Sequence, residues 1–352
     1  MVENKKQYIH IYECKPGDIL ADDVYDDCGI LIVSKDAVIS EHIINRLKTF
    51  RIRQLPVYEL QNVDNIEKSE PSLVEFKKDY RRDVNVMKQV LGDLAAGRKP
   101  DYEKVECISN SIYSKINSIG NIVECMNEVK NMDEYTYTHS INVSMYALLI
   151  AKWLDLSEEE TRNVVTTGIL HDIGKSRISE DILNKKGPLL PEEYEQIKHH
   201  ADIGYYLSKD IPQLSDEIRK GILMHHERED GKGYPYGIKG GDNINRYSKI
   251  ISVADVYDAL TSERVYKERI TPFDTFEELI RIGYGYFDTK ILMTFLANIS
   301  CYYIGSIVKM NNGETGKVVF VAPQSISMPI VSVNGKYIDL SQNRQLKIVE
   351  MM

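Results

Sequence analysis

The sequence predicts a mainly α protein, with a small α/β module ahead of a long helical body and a short β appendage after it. Three observations predict this. Apolar residues recur at spacings of three and four, with capping signals, through almost all of residues 105–300. Residues 1–62 alternate short apolar runs with turn residues. Residues 301–352 switch to period two, with an Asn-Gly turn between apolar runs.

Taken in order, Pro16-Gly17-Asp18 reads as a turn, and Gly29 opens an apolar strand, Ile30 to Val33. Ser40 can cap a short helix through Phe50, and Gln54 to Leu60 reads as another strand. Residues 63–104 hold eighteen charges, nine of each sign. Within them Pro71-Ser72-Leu73-Val74-Glu75 starts a helix. Its apolar stripe runs Leu73, Phe76, Tyr80, Val84, Met87, Leu91 and Leu94, as expected of a packed linker or of a homodimer formed through 73–94. In the helical body, capping signals recur at Ser157 with Glu160, at Pro191 with Glu192-Glu193, and at Ser215 with Asp216-Glu217. Strands are expected at Ile307–Met310, Lys317–Val321, Ile330–Val333 and Lys336–Leu340.

The chain has 352 residues, 53 acidic against 44 basic side chains and a net charge of −9. That balance argues against a duplex-DNA or anionic-membrane binder, because both select basic surfaces. Met1 to Cys14 holds no apolar core, so no secretory signal is expected. No apolar run approaches the roughly 20 residues of a membrane span. The five cysteines are scattered, which fits thiols in a reducing cytoplasm better than a disulfide framework.

Six of the eight histidines fall within 88 residues. His171-Asp172 closes one apolar helix, His225-His226 closes a second, Asp255 sits inside a third and His139 starts a fourth. An ionised Asp among Val253, Ala254 and Val256 is costly unless paired or metal-bound. Seven metal-competent groups result: His139, His171, Asp172, His200, His225, His226 and Asp255. Imidazole and carboxylate without thiolate suit iron, manganese, zinc or nickel. Seven groups exceed the needs of one ion and suit a binuclear centre bridged by a carboxylate and a hydroxide, which hydrolyses phosphoesters. Successive helix residues point about 100° apart, so His199 and His200 do not easily ligate one centre together.

These residues carry a resemblance. His171-Asp172-Ile173-Gly174-Lys175 resembles the His-Asp motif of HD-superfamily phosphohydrolases. His225 to Pro235, containing Gly233-Tyr234-Pro235, is similar to the extended signature of the HD-GYP family. Matching stretches follow the family's order: Tyr135-Thr136 before His139-Ser140, His200 with Gly204, Ile251 to Leu260, Arg264-Val265-Tyr266-Lys267, and Phe287-Asp288. The resemblance covers roughly residues 130–300.

The resemblance implies an all-helical domain with a centre of two or three divalent ions, iron first and manganese next. It implies phosphodiesterase activity on cyclic di-GMP or a related cyclic dinucleotide, yielding the linear dinucleotide and, with a second cut, GMP. The seven groups above become the ligands, with Asp172 as the bridge and as catalytic residue together with Lys175. Lys175, Arg264 and Lys267 meet substrate phosphates, Tyr234 shapes the pocket, and Asp258 touches a guanine edge or supports a ligand. A diguanylate cyclase of the GGDEF type becomes a candidate partner for the Gly233-Tyr234-Pro235 loop. Tyr135 stands where some members carry a Glu that serves a third metal, which favours two. Glu229 and Val265 replace a usual Trp and Pro in loops expected on the substrate side. Two alternatives stay open: a weakly active or inactive dinucleotide receptor, and an HD phosphohydrolase acting on another nucleotide. The expected organisation is a regulatory module at 1–62, an amphipathic linker helix at 63–104, the phosphohydrolase domain at 105–300 and the β appendage at 301–352.

Overall fold

The computed structural model describes residues 6–25, 31–33, 52–58, 73–115, 135–185, 187–262 and 270–352, together with residues 39, 43, 44, 47, 48, 122, 123, 125, 126 and 129. The expected cap Ser40 and the substrate-side Arg264, Val265 and Lys267 lie outside them.

The N-terminal strands are short. β1 (Lys6–His10) pairs antiparallel with β4 (Gln54–Tyr58), and β2 (Val24–Tyr25) with β3 (Leu31–Val33). Leu20, Ile39, Leu47, Leu55 and Val57 close over one another in a small core of their own.

The helical body starts with α1 (Leu73–Ala95) and α2 (Tyr102–Ser114). α1 is packed along one face. Phe76, Tyr80, Val84, Met87, Val90 and Leu94 are buried in the same core as the rest of the helical body. The stripe expected for a homodimer through 73–94 is therefore used inside the chain, because α1 packs against α2 and the central helix described next.

α3 (Tyr135–Trp153) runs through the middle, and its residues from Thr138 to Ala151 are buried. A helix apolar or small on every side needs neighbours on every side. α4 (Glu158–Leu170) and α9 (Arg246–Thr261) supply two of them. Between these lie α5 (Glu180–Leu183), α6 (Pro191–Lys198), α7 (His200–Lys209) and α8 (Asp216–Met224). α10 (Pro272–Gly283) and α11 (Thr289–Ile299) complete the body. The expected caps form: Ser157 and Glu160 exchange both bonds of a capping box, and the Ser215 hydroxyl accepts from the Ile218 amide.

β5 (Ile307–Met310), β6 (Thr315–Phe320), β7 (Ile330–Val333), β8 (Lys336–Asp339) and β9 (Ile348–Met351) make one sheet in the order β8-β7-β6-β5-β9, and every pairing is antiparallel. Asn334 and Gly335 both take positive φ, 48° and 80°, which matches the two-residue hairpin turn read from Asn-Gly. Val308, Val318 and Val331 face inward and join the helical core, so the appendage shares that core.

Candidate metal centre

Helix ends build the site. The last carbonyls of a helix have no backbone donor, and a histidine at that end can supply one. His171 follows α4 and its Nδ1 lies 2.7 Å from the Gly168 carbonyl. His200 opens α7, and its Nδ1 lies 2.6 Å from the carbonyl of Ile197 in the last turn of α6. His225 follows α8 and its Nδ1 lies 2.6 Å from the Ile222 carbonyl. A carbonyl can only accept, so each Nδ1 carries the proton and each Nε2 keeps an unprotonated lone pair. Those lone pairs converge: His200 Nε2 and His225 Nε2 lie 3.2 Å apart.

His139 is held differently. Its Nδ1 lies 2.7 Å from Asp258 Oδ2, and its Nε2 lies 3.1 Å from Asp255 Oδ1. Asp258 also accepts from Asn142 Nδ2 at 3.0 Å and from Ser262 Oγ at 3.1 Å, and it is fully buried. Of the two roles expected for Asp258, this geometry matches support of a ligand: its carboxylate holds His139.

The seven groups gather as expected. Asp172, His200, His225 and His226 form one set and His139, His171 and Asp255 a second, each with ligand atoms within 4.8 Å of one another. Asp172 reaches both. Its Oδ1 is 3.3 Å from His200 Nε2, and its Oδ2 is 3.3 Å from His171 Nε2 and 3.7 Å from His139 Nε2. His171 Nε2 and Asp172 Oδ1 are buried without a hydrogen-bond partner. Buried acceptors left this way are costly, and a divalent cation satisfies several at once. The donor set of imidazole and carboxylate therefore fits such an ion.

Protonation states agree. Burial pushes His200 down to about 4 and holds His225 and His226 well below the usual imidazole range. Burial alone raises Asp172, but His171 and Lys175 beside it outweigh that and hold the carboxyl well below the usual range. Asp255 is lowered in the same way by its bond to His139. His139 is the exception: burial lowers it, yet its bonds to Asp255 and Asp258 prevail and raise it to about 9.

Lys175, on the turn Ile173–Arg177, reaches the site with its Nζ 2.5 Å from Asp172 Oδ2. Tyr234 stacks on the His226 ring at 4.5 Å between centroids, so the expected pocket residue lies directly over a candidate ligand. His199 points away, its side chain 69% exposed. Glu229, in a loop expected on the substrate side, pairs its carboxylate with Lys249 Nζ at 2.8 Å and accepts from the Gly241 amide.

Sequence reasoning assigned no role to Glu227, Arg228 or Asn142. Glu227, 3% exposed, accepts from the amides of Tyr236 (2.8 Å) and Ile238 (2.9 Å) and so anchors the loop after Tyr234. Arg228 donates to the His225 and Glu227 carbonyls and lies 4.1 Å over the Tyr286 ring. Both stood inside a quoted motif, but nothing in a linear string says which of its polar residues turn inward. The polar Asn142, one turn after His139, was the available sign for that residue.

The profile of the HD domain family matches residues 116–291, half of the 352-residue chain. The chain belongs to the HD domain family. This HD-domain chain is 33% identical over 229 residues to the cyclic di-GMP phosphodiesterase PA4108 of Pseudomonas aeruginosa, covering 65% of this chain and 54% of that protein. It is 34% identical over 185 residues to the 3'3'-cGAMP-specific phosphodiesterase 1 of Vibrio cholerae, covering 52% of this chain and 42% of that protein. The chain thus spans about half the length of the curated relatives it matches. Among solved structures, Bd1817, an HDG"Y"P protein of Bdellovibrio bacteriovorus, shares the fold with a TM-score of 0.52 at 16% identity, over 83% of this chain and 98% of that one. Among the described residues of the HD-domain chain, no helix is long and apolar enough to cross a membrane.

Proposed function

We propose that this chain is a metal-dependent phosphodiesterase that opens a cyclic dinucleotide, with cyclic di-GMP as substrate and the linear 5′-phosphorylated dinucleotide as first product. The observation that carries the reading is Asp172, which turns one carboxylate oxygen to each of two sets of candidate ligands. Named relatives acting on cyclic di-GMP and on 3'3'-cGAMP support the substrate class.

His139, His171, Asp172, His200, His225, His226 and Asp255 would hold two divalent ions, iron or manganese before zinc or nickel. Such a pair supplies Lewis acidity and an activated water for in-line displacement at phosphorus. The chain's own residues do the rest. The carbonyls of Gly168, Ile197 and Ile222 fix three imidazoles in one tautomer before substrate arrives. Lys175 stands beside Asp172 and adds positive charge where a phosphate would bind. Tyr234 covers His226 and keeps water from that side. Arg264 and Lys267 would join Lys175 in meeting the substrate phosphates.

Residues 1–62 are proposed as a regulatory module and the exposed end of the Gly233-Tyr234-Pro235 loop, where Tyr236 is 62% exposed, as a docking point for a GGDEF-type cyclase. A reducing cytoplasmic setting is proposed from the scattered cysteines. The test is anaerobic, iron- or manganese-loaded protein given cyclic di-GMP and 3'3'-cGAMP side by side, with products resolved by ion exchange. A linear product from the first supports the reading. Turnover of the second alone moves the substrate, and no product from either, with metal content verified, overturns it.

A further inference from the structure

One chain of buried hydrogen bonds runs from α1 to the candidate centre. The Tyr80 hydroxyl donates to Asn142 Oδ1 at 2.8 Å. The Asn142 amide donates to Asp258 Oδ1 at 3.0 Å, and the other oxygen of Asp258 lies 2.7 Å from His139 Nδ1. Tyr80 and Asp258 are fully buried, Asn142 is 3% exposed and His139 is 4% exposed. The chain crosses three helices, α1, α3 and α9, that are far apart in sequence.

The order of donors decides what the chain does. A carboxylate only accepts, so Asn142 must present its NH2 to Asp258. The other end of the amide is then an oxygen, which needs a donor in a place water does not reach. Tyr80 is that donor. Without it, the flipped amide, with oxygen facing Asp258, would be closer in energy, and Asp258 would lose a partner that fixes its rotamer. Asp258 in turn sets the tautomer and direction of His139. One turn along α1, the buried Asp83 accepts from Ser111 Oγ of α2 at 2.6 Å, which holds the helix in register.

We propose that Tyr80 is a positioning residue for His139, acting through Asn142 and Asp258, so that affinity for metal depends on where α1 lies. The inference rests on the proposed ligand role of His139. α1 is the helix that follows the N-terminal module in sequence, so a shift of α1 would reach the centre by this route.

The experiment titrates manganese(II) against a competing chelator, with no substrate present, in the full chain. Tyr80→Phe is expected to weaken binding by roughly tenfold, the low end for a group that supports a ligand. Asp258→Asn should weaken it at least as much, and the double variant should match Asp258→Asn alone, since the chain is cut once. Phe76→Leu, on the same face of α1 but outside the chain, should leave affinity within about twofold. If Tyr80→Phe fails to fold, Asn142→Ser takes its place with the same expectations. Affinity unchanged in Tyr80→Phe, full additivity with Asp258→Asn, or an equal loss in Phe76→Leu overturns the proposal. Should wild type not bind manganese(II), or His139→Ala bind it as well as wild type, the proposed ligand set fails first. Wild-type binding lost in His139→Ala but kept in Tyr80→Phe overturns this inference alone.

Discussion

His200 Nε2 and His225 Nε2 face each other at 3.2 Å, and each ring's Nδ1 is bonded to a backbone carbonyl. Neither Nε2 carries a proton in that tautomer, so two lone pairs are opposed in a buried site. A cation between or beside them removes the conflict. Metal removal should therefore destabilise the protein. A metal at about 100 times its Kd stabilises by about 2.7 kcal/mol. Differential scanning calorimetry should show a melting temperature that rises by several degrees with manganese(II) and falls with chelator. An unchanged melting temperature across that titration would contradict the site's role.

The raised His139 gives a pH dependence. Its folded value of about 9 lies above the ordinary 6.5, so in metal-free protein its contribution to stability is full below about 6.5 and is lost as pH rises through about 9. A metal needs the lone pair on His139 Nε2, so it must displace that proton. Apparent metal affinity should rise about tenfold per pH unit from 7 towards 9 and then level, because one proton is released. Chelator competition at three pH values checks this. A flat profile would mean His139 is not a ligand.

Gly174 sits where the turn after Asp172 meets α7. A Cβ there would lie 1.9 Å from the His200 carbonyl oxygen. Gly174→Ala must push the Asp172 turn away from His200, at an overpacking cost of about 1–3 kcal/mol. Turnover should fall by more than the stability loss explains. Gly92, inside α1 with nothing within 4 Å of a Cβ, is the control: Gly92→Ala should stabilise by about 0.5–1 kcal/mol. Denaturant melts of the two variants, moving in opposite directions, are the check.

Glu227 holds two amides of the loop that follows Tyr234. Glu227→Ala leaves both without a buried acceptor, at about 1–3 kcal/mol for an orphaned group. We expect KM for the dinucleotide to rise severalfold while manganese(II) affinity stays unchanged. Steady-state kinetics beside metal titration separates the two, and a loss of metal affinity instead would place Glu227 in support of the ligands.

Periodicity was enough for the helical body, since a buried stripe must repeat near 3.6 residues, and capping residues marked Ser157 and Ser215. Asn334-Gly335 marked its hairpin for the same local reason. The seven candidate ligands were legible as a combination, since imidazoles and carboxylates gathered at the ends and inside of several apolar helices point to one shared site. What a linear string does not carry is the partner across the core. The stripe of α1 reads equally as a packed linker or a dimer seam, and whether it meets a second copy or α2 and α3 is decided in three dimensions. Asp258 has the helical spacing of a substrate residue, and only the position of His139 on another helix turns it inward. Asn142 and Tyr80 matter through contacts spanning many residues of sequence.

Asp172 turns one carboxylate oxygen towards each of the two candidate ligand sets. Metal content by inductively coupled plasma mass spectrometry, on wild type and Asp172→Ala purified alike, tests most directly the proposal that it joins two metal positions. We expect two ions per chain in wild type, matching the two sets of candidate ligands, and at most one in the variant, with cyclic di-GMP hydrolysis lost. Two ions retained in Asp172→Ala, or full turnover without them, would contradict it.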